Sequence, residues 1–222
     1  MKNVSEGQNI IPFSDFVQEV KHPALQQVDA YWEALRKNQL APFRADVEPR
    51  GIEKALEYAF ILERIAPGHA RFRIAGMHLV TLMGMEVRGM PLATLFVPKA
   101  RKPLSDTLEQ VFTEPQKATL SLSAERGIGK PPIDGQLMLL PMKSDLGEIS
   151  RVLGCLVSEG TTGRAPRRFH IGKISRRRII SDEKRNHATN PKALSFAETQ
   201  MPYKQKGPDA MHPALRLVKS DT

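Results

Sequence analysis

Residues 118 to 124 alternate without a break: Ala118, Leu120, Leu122 and Ala124 are apolar, and Thr119, Ser121 and Ser123 between them are polar. A period of two marks a β-strand with one face on a core and the other toward solvent, because successive side chains leave the backbone on opposite sides. A chain with such a strand must supply sheet neighbours for it and a layer to cover its apolar face. Two aliphatic runs, 137–142 and 152–158, qualify as neighbours, and the Gly- and Pro-rich stretch 127–132 turns the first strand toward them.

Two more strands are predicted upstream. The run 58–65 is rich in aromatic and branched residues, and Pro67-Gly68 turns it into a second run, 71–75, as in a hairpin. From 76 to 96 the apolar pattern becomes helical but is broken by Gly84, Gly89 and Pro91, which predicts short helices joined by tight turns. Leu104, Leu108 and Val111 then fall at i, i+4 and i+7 on one longer helix, terminated at Glu114-Pro115. The order is two strands, short helices, a longer helix and three strands. It predicts an α+β domain with an antiparallel five-stranded sheet and the helices on one face.

Before this domain, residues 23–37 carry Leu25, Val28, Trp32 and Leu35 at helical spacing, with Tyr31 on the same face. An amphipathic helix must bury its stripe somewhere. The two ways open to it are packing on the following domain and pairing with the same helix of a second chain, which would make a homodimer. Residues 42–49 form an extended linker, and a helical turn is expected around 52–56. The first twenty or so residues show no clear period, are punctuated by Pro12 and Pro23, and read as a flexible lead-in.

Charge divides the chain. Of the net +9, +6 lies from Lys173 onward, and Arg164, Arg167, Arg168, Lys173, Arg176, Arg177 and Arg178 form a basic segment without an acidic residue among them. Such density attracts nucleic-acid phosphates, acidic proteins or anionic surfaces, and equally describes a solvated extension without a partner. No helix-turn-helix or RNA-binding strand motif accompanies it. It also lacks the Asp-x-Ser-x-x-Gly that would complete a cyclic-dinucleotide motif. With Pro191, Pro202, Pro208 and Pro213 and few apolar residues, 181–222 is expected to be largely disordered. No apolar run approaches the ~20 residues of a bilayer span, no secretory signal opens the sequence, and the single cysteine, Cys155, forms no intramolecular disulfide. The expectation is a cytoplasmic protein.

The strand and helix order is that of a PAS domain. Tyr31-Trp32, the linker Arg44-Ala45-Asp46-Val47-Glu48-Pro49, the strand Arg71-Phe72-Arg73-Ile74-Ala75-Gly76 and the pair Arg88-Gly89 carry the resemblance further. Through these the chain resembles an alphaproteobacterial family of stand-alone PAS-like domains, formerly catalogued as a domain of unknown function, over residues 31–159. The resemblance implies a sensory or regulatory module without an attached kinase or cyclase, and specifies no ligand or reaction. It sets the expected organisation as a lead-in over 1–22, an amphipathic helix over 23–40, a PAS-like domain over 41–160 and a basic, largely disordered tail over 161–222.

A PAS core encloses a small cavity between the inner sheet face and the short helices, so His78, Met83, Phe72 and Ile74 are the candidate ligand contacts. Flavin photochemistry of the light-sensing type requires a cysteine in an Asn-Cys-Arg-Phe setting on the helices, and none lies there. Haem would take His78 as its axial ligand, with Met83 and Met85 nearby; the plainer reading gives His78 a local hydrogen bond and the methionines a packing role. Gly127-Ile128-Gly129-Lys130 suggests a phosphate loop but runs into Pro131-Pro132 rather than a helix, so it is a hairpin turn. Arg71 and Arg73 read as outward charges on their strand. No Ser/His/Asp set, metal cluster or carboxylate pair offers itself, so catalytic and metal-binding candidates are absent. Two functions lead, a non-catalytic sensor that binds a small ligand or a protein partner and an interaction adaptor whose basic tail engages nucleic acid or an acidic partner; an enzyme, for want of a catalytic constellation, is the least supported third.

Overall fold

The computed structural model describes residues 22–180; the expected lead-in, but for its last residue, and the expected disordered stretch 181–222 lie outside the described residues. One antiparallel sheet organises the fold. Its strands are β1 (Ala59–Ala66), β2 (His69–Ala75), β3 (Gln116–Ala124), β4 (Asp134–Lys143), β5 (Ile149–Glu159) and β6 (Phe169–Arg178), in the order β2-β1-β5-β4-β3-β6. Helices α2 (Met77–Met83) and α3 (Pro98–Thr113) cover the inner face, together with a 3-10 turn at Leu92–Leu95. Helix α1 (Pro23–Arg36) and a 3-10 segment at Pro49–Ala55 cover part of the outer face.

The alternation at 118–124 does what its period requires. Ala118, Leu120, Leu122 and Ala124 are buried on the inner face while the residues between them are not. Leu104, Leu108 and Val111 of α3 close over that face. The hairpin also forms as its sequence predicts, with Gly68 at φ +69 in the turn and its amide donating to Glu109 Oε2 of α3 at 2.7 Å. A side chain at Gly68 would demand both a left-handed backbone and the space held by Ser105, so the position requires glycine.

Helix α1 resolves the choice left open by its stripe. His22 caps it, accepting the Ala24 amide on Nδ1 at 3.2 Å, and Pro23 takes the first helical position, where no amide is needed. Leu25, Val28 and Trp32 are completely buried on β4, β5 and the 49–55 segment of their own chain. Burial of each contributes roughly 1.5–3 kcal/mol, so the stripe is not free to pair with a second chain. Tyr31 and Leu35 are half-buried beside it. Tyr31 Oη accepts the Glu48 amide at 2.7 Å, and its ring lies across Gly51, where a Cβ would fall 2.0 Å from Cε2.

The sheet has six strands where the residue pattern predicts five. β6 occupies part of the stretch expected to be an unstructured basic tail and pairs with β3 from Gln116↔Arg178 to Ala124↔Phe169. It is an edge strand, so its stability comes from a backbone ladder on one side and from Phe169, Ile171 and Ile174 against the inner core. Its exposed cations fit a sheet edge, where charge discourages pairing with other chains.

Candidate functional site

The four candidate ligand contacts do not converge. Phe72 and Met83 lie in the inner core, where Phe60 meets Phe72 edge-to-face at 5.3 Å between centroids and Leu79, Leu82, Leu95 and Phe96 are fully buried around them. Phe60 crosses the sheet over Gly154, where a Cβ would fall 2.1 Å from the ring. The space between sheet and helices is therefore occupied here by the protein's own side chains. Ile74 is on the other face. A bulge in the β1–β2 ladder pairs Ile61 with Ile74 but Leu62 with Phe72, and the extra residue, Arg73, shifts the alternation by one. Phe72 points inward and Ile74 outward for that reason.

His78 does not face the core as a haem ligand would. Its Nε2 is 3.1 Å from Ser158 Oγ, its ring is edge-on to Tyr58 at 5.0 Å, and Tyr58 in turn meets His22 at 5.4 Å. Burial pushes the His78 pKa down; Glu57 opposes that shift and His22 adds to it. The imidazole is a neutral, locally hydrogen-bonded group tying α2 to β5.

A site that the residue pattern does not reveal opens on the outer face beside α2. It is a groove of about 670 Å³ between the 49–55 segment, the β1–β2 hairpin and the start of α2. Its floor includes Ile52, Ala59, Ile61 and Leu153, and its rim carries Leu56, Ile74 and Met77. These three are 45%, 53% and 67% exposed, a cluster of large apolar side chains left in water. The backbone explains why the cleft exists. The 49–55 segment breaks at Ile52, whose φ −126 and ψ 29 are not helical, before the chain enters β1 at Ala59. Gly76 then lets β2 enter α2 against the 56–57 backbone, where a Cβ would fall 2.1 Å from the Glu57 carbonyl oxygen.

Cations lie next to this groove. Glu63 receives Arg71 at 2.8 Å, Arg151 at 2.9 Å and Arg73 at 3.5 Å, three guanidinium groups on one carboxylate. The Arg71 hydrogen bond, with help from Arg151 and Arg73, holds the Glu63 carboxyl below its ordinary range against the opposing effect of burial. Two positive charges remain uncompensated in the cluster, while the groove wall itself carries Arg44 together with Glu53 and Glu57. Arg71 and Arg73 are thus outward charges, as their strand positions predict.

The basic segment separates into two kinds of residue. Arg164, Arg168, Lys173, Arg176, Arg177 and Arg178 are exposed, whereas Arg167 is fully buried. Arg167 donates to the carbonyls of Pro131 at 2.6 Å, Glu125 at 3.2 Å and Thr162, which removes it from any surface patch. Among the described residues no group of three or more His, Cys, Asp or Glu is placed to hold a metal ion.

A sheet in this strand order, helices on its inner face and a leading helix on the outer one agree with the family comparison: residues 20–157 match the family described as PAS domain. The chain belongs to the PAS family. Its PAS domain is also similar to solved light-oxygen-voltage domains. The light-state structure of the blue-light photoreceptor Aureochrome1 LOV is 16% identical with a TM-score of 0.38, the alignment covering 50% of this chain and 88% of that one. A light-oxygen-voltage domain studied with a flavin analogue is 20% identical with a TM-score of 0.38, covering 50% and 83%. The dark-state Aureochrome1 LOV structure gives 16% and 0.37, covering 49% and 79%. No curated protein matches the chain.

Proposed function

We propose that this chain is a non-catalytic sensory or regulatory PAS module that works by seating an apolar polypeptide segment in the outer groove. The observation that carries the reading is the pairing of a packed inner core around Phe60, Phe72 and Met83 with an outer cleft rimmed by exposed Leu56, Ile74 and Met77. Apolar surface of that kind is stabilised by an apolar partner. A homodimer made through the α1 stripe is not part of the proposal, since Leu25, Val28 and Trp32 are buried on their own sheet. Cytoplasmic placement is part of it: Cys155 is a free, buried thiol, and among the described residues no helix is long and apolar enough to cross a membrane.

A photo-crosslinking amino acid at Met77, irradiated in the host, tests the proposal alongside native mass spectrometry of the gently purified protein. The expected result is a polypeptide adduct at Met77 that disappears with Ile74→Asp, and no small molecule at full occupancy. A stoichiometric small-molecule mass with no polypeptide adduct would return the function to ligand sensing, with haem or flavin among the masses to look for.

A second reading rests on β6, where Lys173, Arg176, Arg177 and Arg178 are exposed along the sheet edge. In it the module is an adaptor whose cationic edge and the sequence beyond it engage nucleic acid. A gel shift that weakens steeply with salt and is lost on changing Arg176, Arg177 and Arg178 to Glu supports that reading; unchanged mobility at low salt excludes it.

A further inference from the structure

β6 is the last strand of the sheet. Among the described residues only Phe169, at its start, has a neighbour on the outer side, through a bridge to Phe96 and the Val97 amide at 3.1 Å. Between Ile171 and Ile174 the strand bulges, and the Lys173 amide turns to the Ser121 hydroxyl at 2.7 Å. From Ile174 to Arg178 the register with β3 is regular. Main-chain groups of successive residues leave a strand on opposite sides. The Ile179 amide donates to the Pro115 carbonyl at 3.2 Å, toward β3. Alternation therefore directs Ser175 and Arg177 toward β3 as well, and Ile174, Arg176 and Arg178 away from it. Their amides and carbonyls form an open ladder about as long as an ordinary strand pairing.

The side chains along this ladder are cationic on both faces of the sheet. Arg176 shares the inner face with Ala118 and Arg178 with Gln116, while Arg177 stands beside Lys117 on the outer face. β3 contributes no Asp or Glu. The carboxylates nearby are engaged: Asp29 and Glu33 both bond Lys117, Glu33 also holds Arg36, and Glu114 stands 3.9 Å from Arg178. Arg36, Lys117, Lys173, Arg176, Arg177 and Arg178 outnumber these three acids, and Arg176 and Arg177 have no ion pair among the described residues. Cations so placed repel a second β6 and attract a strand of opposite charge. Nucleic acid fits them less well. A duplex offers phosphates to one surface, whereas these arginines stand on both faces of an edge, and β6 exposes no Phe, Tyr or Trp on which unpaired bases could stack.

We infer that β6 accepts an extended acidic polypeptide as an added strand, paired through the main chain of Ile174, Arg176 and Arg178 and carrying carboxylates beside Arg176, Arg177 and Arg178. Strand addition draws affinity from the backbone ladder and specificity from the flanking side chains. Because arginine stands on both faces, the pattern selected is a run of consecutive acidic residues, with an apolar one beside Ile174 at the margin of the inner core. The surface lies outside the residues that match the PAS family, and at the opposite edge of the sheet from the β1–β2 hairpin and its groove. It stands independently of the groove reading and competes with the nucleic-acid reading for the same edge.

The test uses the full isotope-labelled chain and a synthetic peptide, Glu-Glu-Glu-Thr-Val-Thr, with amide exchange read by NMR. In excess peptide the Ile174, Arg176 and Arg178 amides are expected to exchange about tenfold or more slowly. Those of Ser175 and Arg177, already turned to β3, change little. Replacing Arg176, Arg177 and Arg178 with Glu abolishes the effect while the amides of β1 and β5 keep their protection, which shows that the variant is folded. Ile74→Asp, which alters the outer groove, leaves the effect intact. Any of four results overturns the inference. An equal response to the same peptide N-methylated at alternate residues, which keeps its charge but cannot complete the ladder, would reduce the edge to a charged patch. A response to oligothymidylate with none to the peptide would assign it to nucleic acid. Protection of the three amides before peptide is added would show the edge covered by the protein itself. No response to either probe would leave β6 an edge guarded by charge.

Discussion

Trp32 donates its indole Nε1–H to the main-chain carbonyl of Pro141 at 2.8 Å, joining α1 to β4 across 109 residues of sequence. The ring is fully buried, and Lys117 Nζ stands 5.0 Å from its centroid while bonding Asp29 and Glu33, each at 2.5 Å. Burial alone would raise the Glu33 carboxyl, but the Lys117 and Arg36 contacts outweigh it and bring the carboxyl below its ordinary range. One residue thus combines a large apolar contact, a buried hydrogen bond and two cation–π contacts, the second from Arg36 at 5.8 Å.

Removing it tests how far α1 belongs to the domain. Trp32→Ala is expected to cost about 3–5 kcal/mol, the range for deleting a buried aromatic, whereas Trp32→Phe leaves the Pro141 carbonyl without its donor and costs about 1–3 kcal/mol. Urea denaturation followed by circular dichroism reads both. Equal, small losses would show α1 to be an appendage rather than part of the cooperative unit.

Cys155 lies mid-strand on β5 between Ala59 and Met138, under α1 and the 49–55 segment. Burial pushes its thiol up from the ordinary 9.0 to about 12. The native protein is expected to resist an aromatic disulfide reagent at pH 8 and to react once denatured. The sign of the linkage follows. Above pH 9 the unfolded chain sheds the thiol proton while the folded chain keeps it, so Cys155 makes stability fall as pH rises from about 9 toward 12. Cys155→Ala removes that contribution, and its melting temperature should decline less over the same range. Rapid labelling of native protein would place the thiol at the surface instead.

Much of this architecture is legible in the residues, and what is not has identifiable causes. The α1 stripe, the β1–β2 hairpin and the alternation of β3 follow from local periods, and the structure uses each as its period requires. β6 escapes because an edge strand needs little apolar sequence: its ladder to β3 is backbone, and Arg176, Arg177 and Arg178 mask its few core contacts. Ile74 is assigned to the wrong face because alternation cannot register the bulge at Arg73. The place of His78 depends on Tyr58 and Ser158, 20 and 80 residues away. The groove is missed because its wall is assembled from separate segments, the 49–57 stretch with its backbone break at Ile52, the β1–β2 hairpin, the start of α2 and Leu153 of β5.

His78 gives the acid side of the pH profile. Its base form is favoured by burial, with Ser158, Tyr58, Glu57 and His22 as its neighbours. The folded pKa lies below the ordinary 6.5, so between the two values the unfolded chain binds the proton and the folded chain does not. The contribution to stability is therefore present above pH 6.5 and lost as pH falls through the depressed folded value. Melting temperatures of wild type and His78→Gln between pH 7.5 and 4.5 should converge toward acid pH. Parallel curves across that range would remove His78 from the acid response.

The exposed and buried members of the basic segment should respond differently to the same substitution. Arg167 reaches the carbonyls of Glu125, Pro131 and Thr162, closing the β3–β4 turn onto the loop that leads into β6, and its own Nε has no partner among the described residues. A charge so placed costs desolvation, yet deleting it leaves three partly buried carbonyls without their donor. Arg167→Ala is expected to cost about 3 kcal/mol or more, since each stranded acceptor carries a penalty of about 1–3 kcal/mol unless water enters. Arg177→Ala, on the exposed edge, should stay within about 0.5 kcal/mol of wild type. Hydrogen exchange separates the mechanism from a general loss of stability. In Arg167→Ala the amides of Glu125 and Lys130, bonded to Arg168 and Gly127, should lose protection before those of β1 and β5. Uniform loss across the sheet would make Arg167 a core-packing residue; selective loss at the turn makes it the clamp that holds β6 to the domain.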